Sequence, residues 1–141
     1  MNYFDTTHAI KVHDDIILKS GGTLGVINIG LVDSCLEHIQ NDLYYPEIEN
    51  KLTHLFYCIN KSHSFADGNK RASIALSAYF LEINGLDFRV NRFITSMENI
   101  AVYVADNIVD KELLGEIIYS LIYEDDYSQE LKMKIITSLS S

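Results

Sequence analysis

One short segment of the chain concentrates the residue types that phosphate chemistry requires. His63, whose unperturbed pKa lies near neutrality, can accept a proton from an attacking hydroxyl. Asp67 supplies a carboxylate, a ligand type that Mg²⁺ prefers. Gly68 lets a ligand approach the backbone closely, and Asn69 begins a helix whose free N–H groups attract anions. A base, a metal ligand and a phosphate site are therefore predicted within a single loop.

Two cations extend this pattern into the predicted helix. Lys70 and Arg71 lie in its first turn, where the helix dipole already favours negative charge. The alternative interpretation is an ordinary polar turn with solvated cations, because Asp67, Gly68 and Asn69 alone indicate only a turn. The combination, rather than any single residue, favours a functional site.

The apolar residues on both sides of this segment recur at helical spacing, which predicts an all-α fold. Predicted helices run from a cap at Asp5 or Thr6 to a stop at Gly21 and Gly22, from Gly30 to Gln40, from Ile48 to near His63, and from Asn69 to Asn84 and Gly85. Three further helices contain Met97 to Ile108, Leu114 to Ile122 after a cap at Asp110, and Leu131 to Leu139. Leu86 to Val90 is predicted as a short extended piece. The candidate loop joins the two most apolar helices.

Length and charge limit the classes of protein that this chain can represent. Its 141 residues, 48% of them hydrophobic, predict a single domain over 1–141. The formal net charge of −9 argues against a broad nucleic-acid surface, which needs clustered Lys and Arg. Any anion site must therefore be local.

The cysteines and the apolar segments predict a cytoplasmic protein. Cys35 and Cys58 stand alone inside apolar runs without CxxC spacing, which predicts buried free thiols in a reducing compartment. No apolar stretch reaches membrane-spanning length, and Met1 to Asp5 lacks a signal-peptide pattern. We therefore expect neither a membrane nor a nucleic acid as a partner.

The candidate loop resembles the signature of the Fic/Doc family, His-Pro-Phe-x-Asp/Glu-Gly-Asn-Gly/Lys-Arg. The matching positions are His63, Phe65, Asp67, Gly68, Asn69 and Arg71, with Lys70 at the variable place. Flanking segments are similar to Doc-type (death-on-curing) toxins of toxin–antitoxin systems, namely His13-Asp14, Gly21-Gly22-x-x-Gly25 and Leu81 to Gly85. The resemblance covers roughly residues 6 to 125, which implies a domain core at about 6–125 followed by a tail helix at 126–141.

The resemblance implies a role for each matching residue, with ATP and Mg²⁺ as the small molecules involved. His63 would be the base, Asp67 the Mg²⁺ ligand, and Phe65 the residue that holds the loop against the core. The implied catalytic residues are His63, Asp67 and Arg71. The implied phosphate-binding residues are Gly68, Asn69, Lys70 and Arg71. Phosphoryl transfer depends mainly on positioning and charge stabilisation, so a set as short as this one can be sufficient.

Departures from the signature decide which group would be transferred. Fic enzymes that transfer AMP carry glycine and a second arginine where this chain has Lys70 and Ile74. Both changes are similar to Doc toxins, which implies transfer of the terminal phosphate of ATP. Gly68 is the glycine of the broader Fic motif, while Ser64 and Ile27-Asn28 replace a proline and an Arg-Asp pair. Phosphate transfer is therefore favoured, AMP transfer is the alternative, and an inactive binding module is the third interpretation.

The resemblance also implies protein partners. The substrate would be a hydroxyl of a protein, by family resemblance a translation factor. Ser120 to Glu124 resembles the family's inhibitory motif but is followed by Asp125, so a separate antitoxin is the expected inhibitor. The loop from Asn41 to Pro46, with Tyr44 and Tyr45, is the candidate target-docking segment, although adjacent tyrosines are also common in half-buried packing.

Overall fold

The computed structural model describes residues 1–140, which form seven α-helices and one short 3₁₀ helix. In chain order the α-helices are α1 Thr6–Ser20, α2 Ile29–His38, α3 Ile48–Lys61, α4 Asn69–Ile83, α5 Val90–Ala105, α6 Lys111–Tyr123 and α7 Gln129–Leu139. These elements confirm the all-α fold class.

Local capping explains where the helices begin and end. The Asp5 carboxylate accepts a hydrogen bond from the His8 N–H at 2.9 Å, and Gly21, at φ 88°, ends α1. The prediction of an extended piece from Leu86 to Val90 is wrong. This stretch contains a 3₁₀ turn at Asp87–Arg89, closed by the Arg89 N–H on the Leu86 carbonyl at 3.0 Å. The chain leaves α4 and enters α5 within a few residues, so a compact turn forms instead.

The two helices that flank the candidate loop form the centre of the molecule. On α3, Leu52, Leu55, Phe56 and Ile59 are fully buried, and on α4 so are Leu76, Phe80 and Leu81. α3 packs against α2, α4, α5 and α6, while α4 packs against α1, α3 and α5. Because both helices are enclosed, the loop between them is held at both of its ends.

The two cysteines correct a prediction made from the sequence. Cys35 on α2 and Cys58 on α3 form a disulfide, and the prediction of free thiols is wrong. The packing of α2 along α3 places their Cα atoms 6.1 Å apart, within the range that a disulfide can bridge. Spacing along the sequence carries no signal of this contact. None of the helices within residues 1–140 is both long enough and apolar enough to cross a membrane.

Candidate active site

His63 occupies an unusual backbone position directly after α3. Its φ of 51° places it in the left-handed region, which residues other than glycine adopt rarely and which often marks a functional site. The side chain is exposed, and no hydrogen bond within residues 1–140 engages its ring. The imidazole is therefore accessible for proton transfer.

The loop after His63 is closed by the side chain of Asn69. Its Oδ1 accepts from the Phe65 N–H at 3.2 Å, and its Nδ2 donates to the Phe65 carbonyl at 3.0 Å. The Phe65 ring is buried, so the loop has an apolar anchor as well as two polar ones. The structure thus places the Asn69 side chain on the loop itself, while its backbone N–H lies at the start of α4.

The N-terminus of α4 has no side-chain cap. Gly68, at φ 76°, is the N-cap residue and provides no side chain to bond the first N–H groups. The backbone N–H groups of Asn69, Lys70 and Arg71 have no acceptor among residues 1–140. These free donors and the dipole of a 15-residue helix favour a phosphate here.

Asp67 presents an ionised carboxylate beside this N-terminus. The carboxylate accepts from the Thr23 N–H at 3.1 Å and from the Gly68 N–H at 2.7 Å. These two bonds, followed by the positive charge of Arg71, lower the pKa of Asp67. The side chain is 46% exposed, so it remains open to a cation. Mg²⁺ is commonly held by one or two carboxylates plus substrate phosphates and water, and Asp67 fits that role.

Arg71 is oriented by the end of α1. Its Nη1 donates to the Ser20 Oγ at 2.5 Å and to the Gly21 carbonyl at 3.0 Å. Its Nη2 lies 3.9 Å from the Asp67 Oδ1, and the side chain is 39% exposed. The guanidinium is consequently fixed next to the free N–H groups of α4, where it can contact a bound phosphate.

The segment after α1 pairs with the candidate loop. The Ser64 carbonyl accepts from the N–H groups of Ile27 at 2.8 Å and Asn28 at 3.0 Å. In the other direction, the Ala66 N–H donates to the Gly25 carbonyl at 3.0 Å. Val26 and Phe65 face each other in an isolated antiparallel bridge. The glycine-rich segment is therefore a wall of the site.

The chain is similar in sequence to known proteins. The model of the Fic/DOC family matches residues 3–81, more than half of the chain, and this range includes α1, the glycine-rich segment and the whole loop. The chain belongs to the Fic/DOC family. It is also 34% identical to Toxin Doc of Mycolicibacterium smegmatis over 104 residues, which cover 67% of this chain and 80% of that protein.

An exposed apolar surface borders the candidate loop, residues 62–68 between α3 and α4. We call it the apolar lip; it consists of Leu24, Val26, Ile27, Ile29 and Leu31, all exposed. Ile27 and Leu24 are 69% and 52% exposed. The hydrogen bonds to the loop are made by the two neighbours of Val26, through the Gly25 carbonyl and the Ile27 N–H. In an antiparallel bridge of this kind, the N–H and C=O of Val26 itself point away from the loop. Sequence reasoning missed this surface, although its signal was the density of apolar residues in a segment without helical period.

Two predicted site residues do not lie near the candidate loop. Tyr44 and Tyr45 precede α3, whereas His63 follows its other end, and a helix of 14 residues is about 21 Å long. Tyr44 is 77% exposed, and the Tyr45 hydroxyl lies 3.1 Å from the His54 Nδ1. The docking role assigned to them stays a prediction.

The position of Gly22 yields a test of the site. A Cβ at Gly22 would lie 2.6 Å from the Asp67 Oδ2, and its φ of 124° disfavours any side chain. We expect Gly22→Ala to displace the carboxylate, weaken the bond from Thr23 and raise the pKa of Asp67 toward its ordinary value, measured by NMR titration of the carboxyl carbon. The lowered pKa stabilises the folded parent at neutral pH, and that contribution is lost as the pH falls through the folded pKa.

Gly21→Ala is the matched control. Its φ of 88° carries a similar strain of about 1–3 kcal/mol, but its Cβ would meet no atom within 4 Å. Both variants should lose stability, and only Gly22→Ala should change the pKa of Asp67. An equal pKa in the two variants would show that Gly22 does not control the carboxylate.

Proposed function

We propose that this Fic/DOC protein transfers the γ-phosphoryl group of ATP to a hydroxyl of a protein target. The observation that carries the proposal is the uncapped N-terminus of α4, whose three free N–H groups lie between Asp67 and Arg71. An accessible base, His63, stands at the other end of the same loop. Anion site, cation ligand and base are the parts that this reaction requires.

Each residue has a defined task in the proposed reaction. His63 accepts the proton of the target hydroxyl as its oxygen bonds to the γ-phosphorus, while the bond to the departing ADP oxygen breaks. Arg71 and the free N–H groups of α4 stabilise the negative charge on the phosphates. Mg²⁺, held by Asp67, supplies further charge neutralisation when it is bound.

Transfer of phosphate rather than AMP is supported by two positions on α4. Lys70 is exposed where AMP-transferring relatives carry glycine, and it places a bulky cation beside the anion site. Ile74, in place of an arginine, is half-buried against the hydrophobic core and offers no phosphate contact. A nucleotide excluded from one orientation can bind reversed and present its γ-phosphate to the hydroxyl. AMP transfer remains the second candidate because Gly68 retains the glycine of the broader motif.

A toxin role is part of the same proposal. The relative from Mycolicibacterium smegmatis is named Toxin Doc, so we propose that this chain is the toxin of a toxin–antitoxin pair and has an antitoxin as its inhibitor. A translation factor is the proposed target class.

The apolar lip is the surface we propose for target docking. It borders the loop, and its Val26 backbone groups can pair with an extended segment of a target. Tyr44 and Tyr45 are the competing docking hypothesis from the sequence. The lip is favoured because it adjoins the loop that carries His63, whereas the tyrosines lie at the far end of α3.

Incubation with cell lysate and ATP labelled separately at the γ- and α-phosphates tests the reaction. We expect a γ-labelled protein band, reduced roughly 100-fold or more in His63→Ala because the general base is lost. An α-labelled band would establish AMP transfer instead. Absence of both bands, with other nucleotides tested and a bound inhibitor excluded, would leave the inactive binding module.

The two positions on α4 are tested by restoring the residues of AMP-transferring relatives. We expect Lys70→Gly with Ile74→Arg to move the label from the γ- to the α-phosphate, because the cation is removed and a phosphate clamp is added. Lys11→Gly, which changes an exposed lysine on α1, is the control and should leave the choice of label unchanged. Unaltered γ-labelling in the double variant would mean that these residues do not set the nucleotide's orientation.

Docking is tested by paired substitutions. Leu24→Ser with Ile27→Ser should lower the rate of target labelling about tenfold or more, since each apolar side chain buried by a partner contributes about 1.5–3 kcal/mol. ATP affinity, measured by calorimetry, should be unchanged. Tyr44→Ala with Tyr45→Ala should label at the parent rate; the reverse pattern would transfer the docking role to the tyrosines.

A further inference from the structure

We propose that His13, on α1, is a positioning residue of the active site, a role that rests on the proposed function. Its side chain is fully buried, yet its Nε2 lies 2.5 Å from the backbone carbonyl oxygen of Asp67. Its ring stacks on Phe65 with the centroids 3.9 Å apart and an angle of 7° between the planes. One side chain therefore contacts both the apolar anchor of the loop and the peptide that leads into α4.

The proton on His13 is determined by this contact. A carbonyl oxygen only accepts hydrogen bonds, so Nε2 must carry a proton and donate it to Asp67. The other ring nitrogen, Nδ1, lies 3.3 Å from the half-exposed carboxylate of Asp14. A buried donor aimed at a carbonyl of the active-site loop is more specific than apolar packing requires.

The peptide that His13 holds controls two parts of the site. The Gly68 N–H, in the same peptide unit as the bonded carbonyl, donates to the Asp67 carboxylate at 2.7 Å. The Gly68 carbonyl accepts from the Ala72 N–H at 2.8 Å and so begins the hydrogen bonding of α4. Rotation of this peptide would turn both the cation ligand and the first N–H groups of the helix. His13 thus acts through Asp67 and Gly68 rather than on a substrate.

The site has little space for a rearrangement that would replace this bond. A Cβ added at Gly68 would lie 3.5 Å from the His13 Nε2 and 3.0 Å from the Ile17 Cδ1, both on α1. The loop is consequently seated directly on α1, and loss of the donor would remove the hydrogen bond that the Asp67 carbonyl accepts from His13.

Two substitutions separate positioning from packing. His13→Gln keeps an N–H donor near the place of Nε2, whereas His13→Leu keeps apolar volume and removes the donor. His8→Leu is the control, because His8 lies on the same helix but stacks on Tyr79, away from the loop. We expect the affinity for ATP with Mg²⁺, measured by calorimetry, to fall about tenfold or more in His13→Leu. The affinity of His13→Gln should be close to that of the parent, and the affinity of His8→Leu should be unchanged.

Measurements without nucleotide keep this inference distinct from the proposed function. Amide hydrogen exchange at Gly68 should be faster in His13→Leu than in the parent and near the parent in His13→Gln. Long-range ¹⁵N–¹H spectra of the unmodified protein should show a protonated Nε2 on His13. This last measurement does not depend on whether any variant folds.

An unprotonated Nε2, or parent-like Gly68 exchange and ATP affinity in folded His13→Leu, would overturn the positioning role. A parent that binds no ATP would overturn the proposed function, while the Gly68 exchange and the Nε2 proton would still decide the role of His13.

Discussion

The rest of the site depends on one constraint: the tight loop between the buried helices α3 and α4 must pack against α1. α3 and α4 are enclosed by the core, so residues 62–68 must reverse the chain within a short distance. The reversal is achieved with a left-handed His63, a glycine at the N-cap of α4 and an amide side chain that closes the loop on Phe65. The left-handed His63 leaves its imidazole exposed and the glycine N-cap leaves the first N–H groups of α4 free, while the Asn69 amide holds the loop closed. Strain at the loop and reactivity at the site therefore have the same origin.

Local electrostatics make phosphate binding by an acidic chain physically possible. The formal net charge is −9, which opposes anion binding over most of the surface. At the loop the balance is reversed by the free N–H groups of α4 and by Arg71, which Ser20 and Gly21 hold in place. The Asp67 carboxylate is compatible with this positive environment because backbone N–H groups keep it ionised. An anion site and a cation ligand can then adjoin without cancelling each other, as the binding of a metal–nucleotide complex requires.

α1 contributes more to the site than its place at the start of the chain indicates. Its buried face meets the loop through His13 and Ile17, and its last turn holds Arg71 through Ser20. The glycine-rich segment that follows then pairs with Ser64 and Ala66. The family match begins at residue 3, before α1, which agrees with a site built from both parts of the chain.

The sequence by itself determined the helical period, most helix ends and the residues of the loop, because caps, glycine stops and a short motif are properties of adjacent residues. Asp5, Gly21 and Asp110 mark helix boundaries as expected, and the family assignment followed from nine consecutive residues, His63 to Arg71. Only the tertiary structure decided the contacts between residues distant along the chain: the disulfide of Cys35 and Cys58, the bond from His13 to Asp67, the apolar lip and the separation of Tyr44 and Tyr45 from the loop. The physical reason is that periodicity specifies which face of a helix is buried, whereas which residue it meets depends on how whole helices pack.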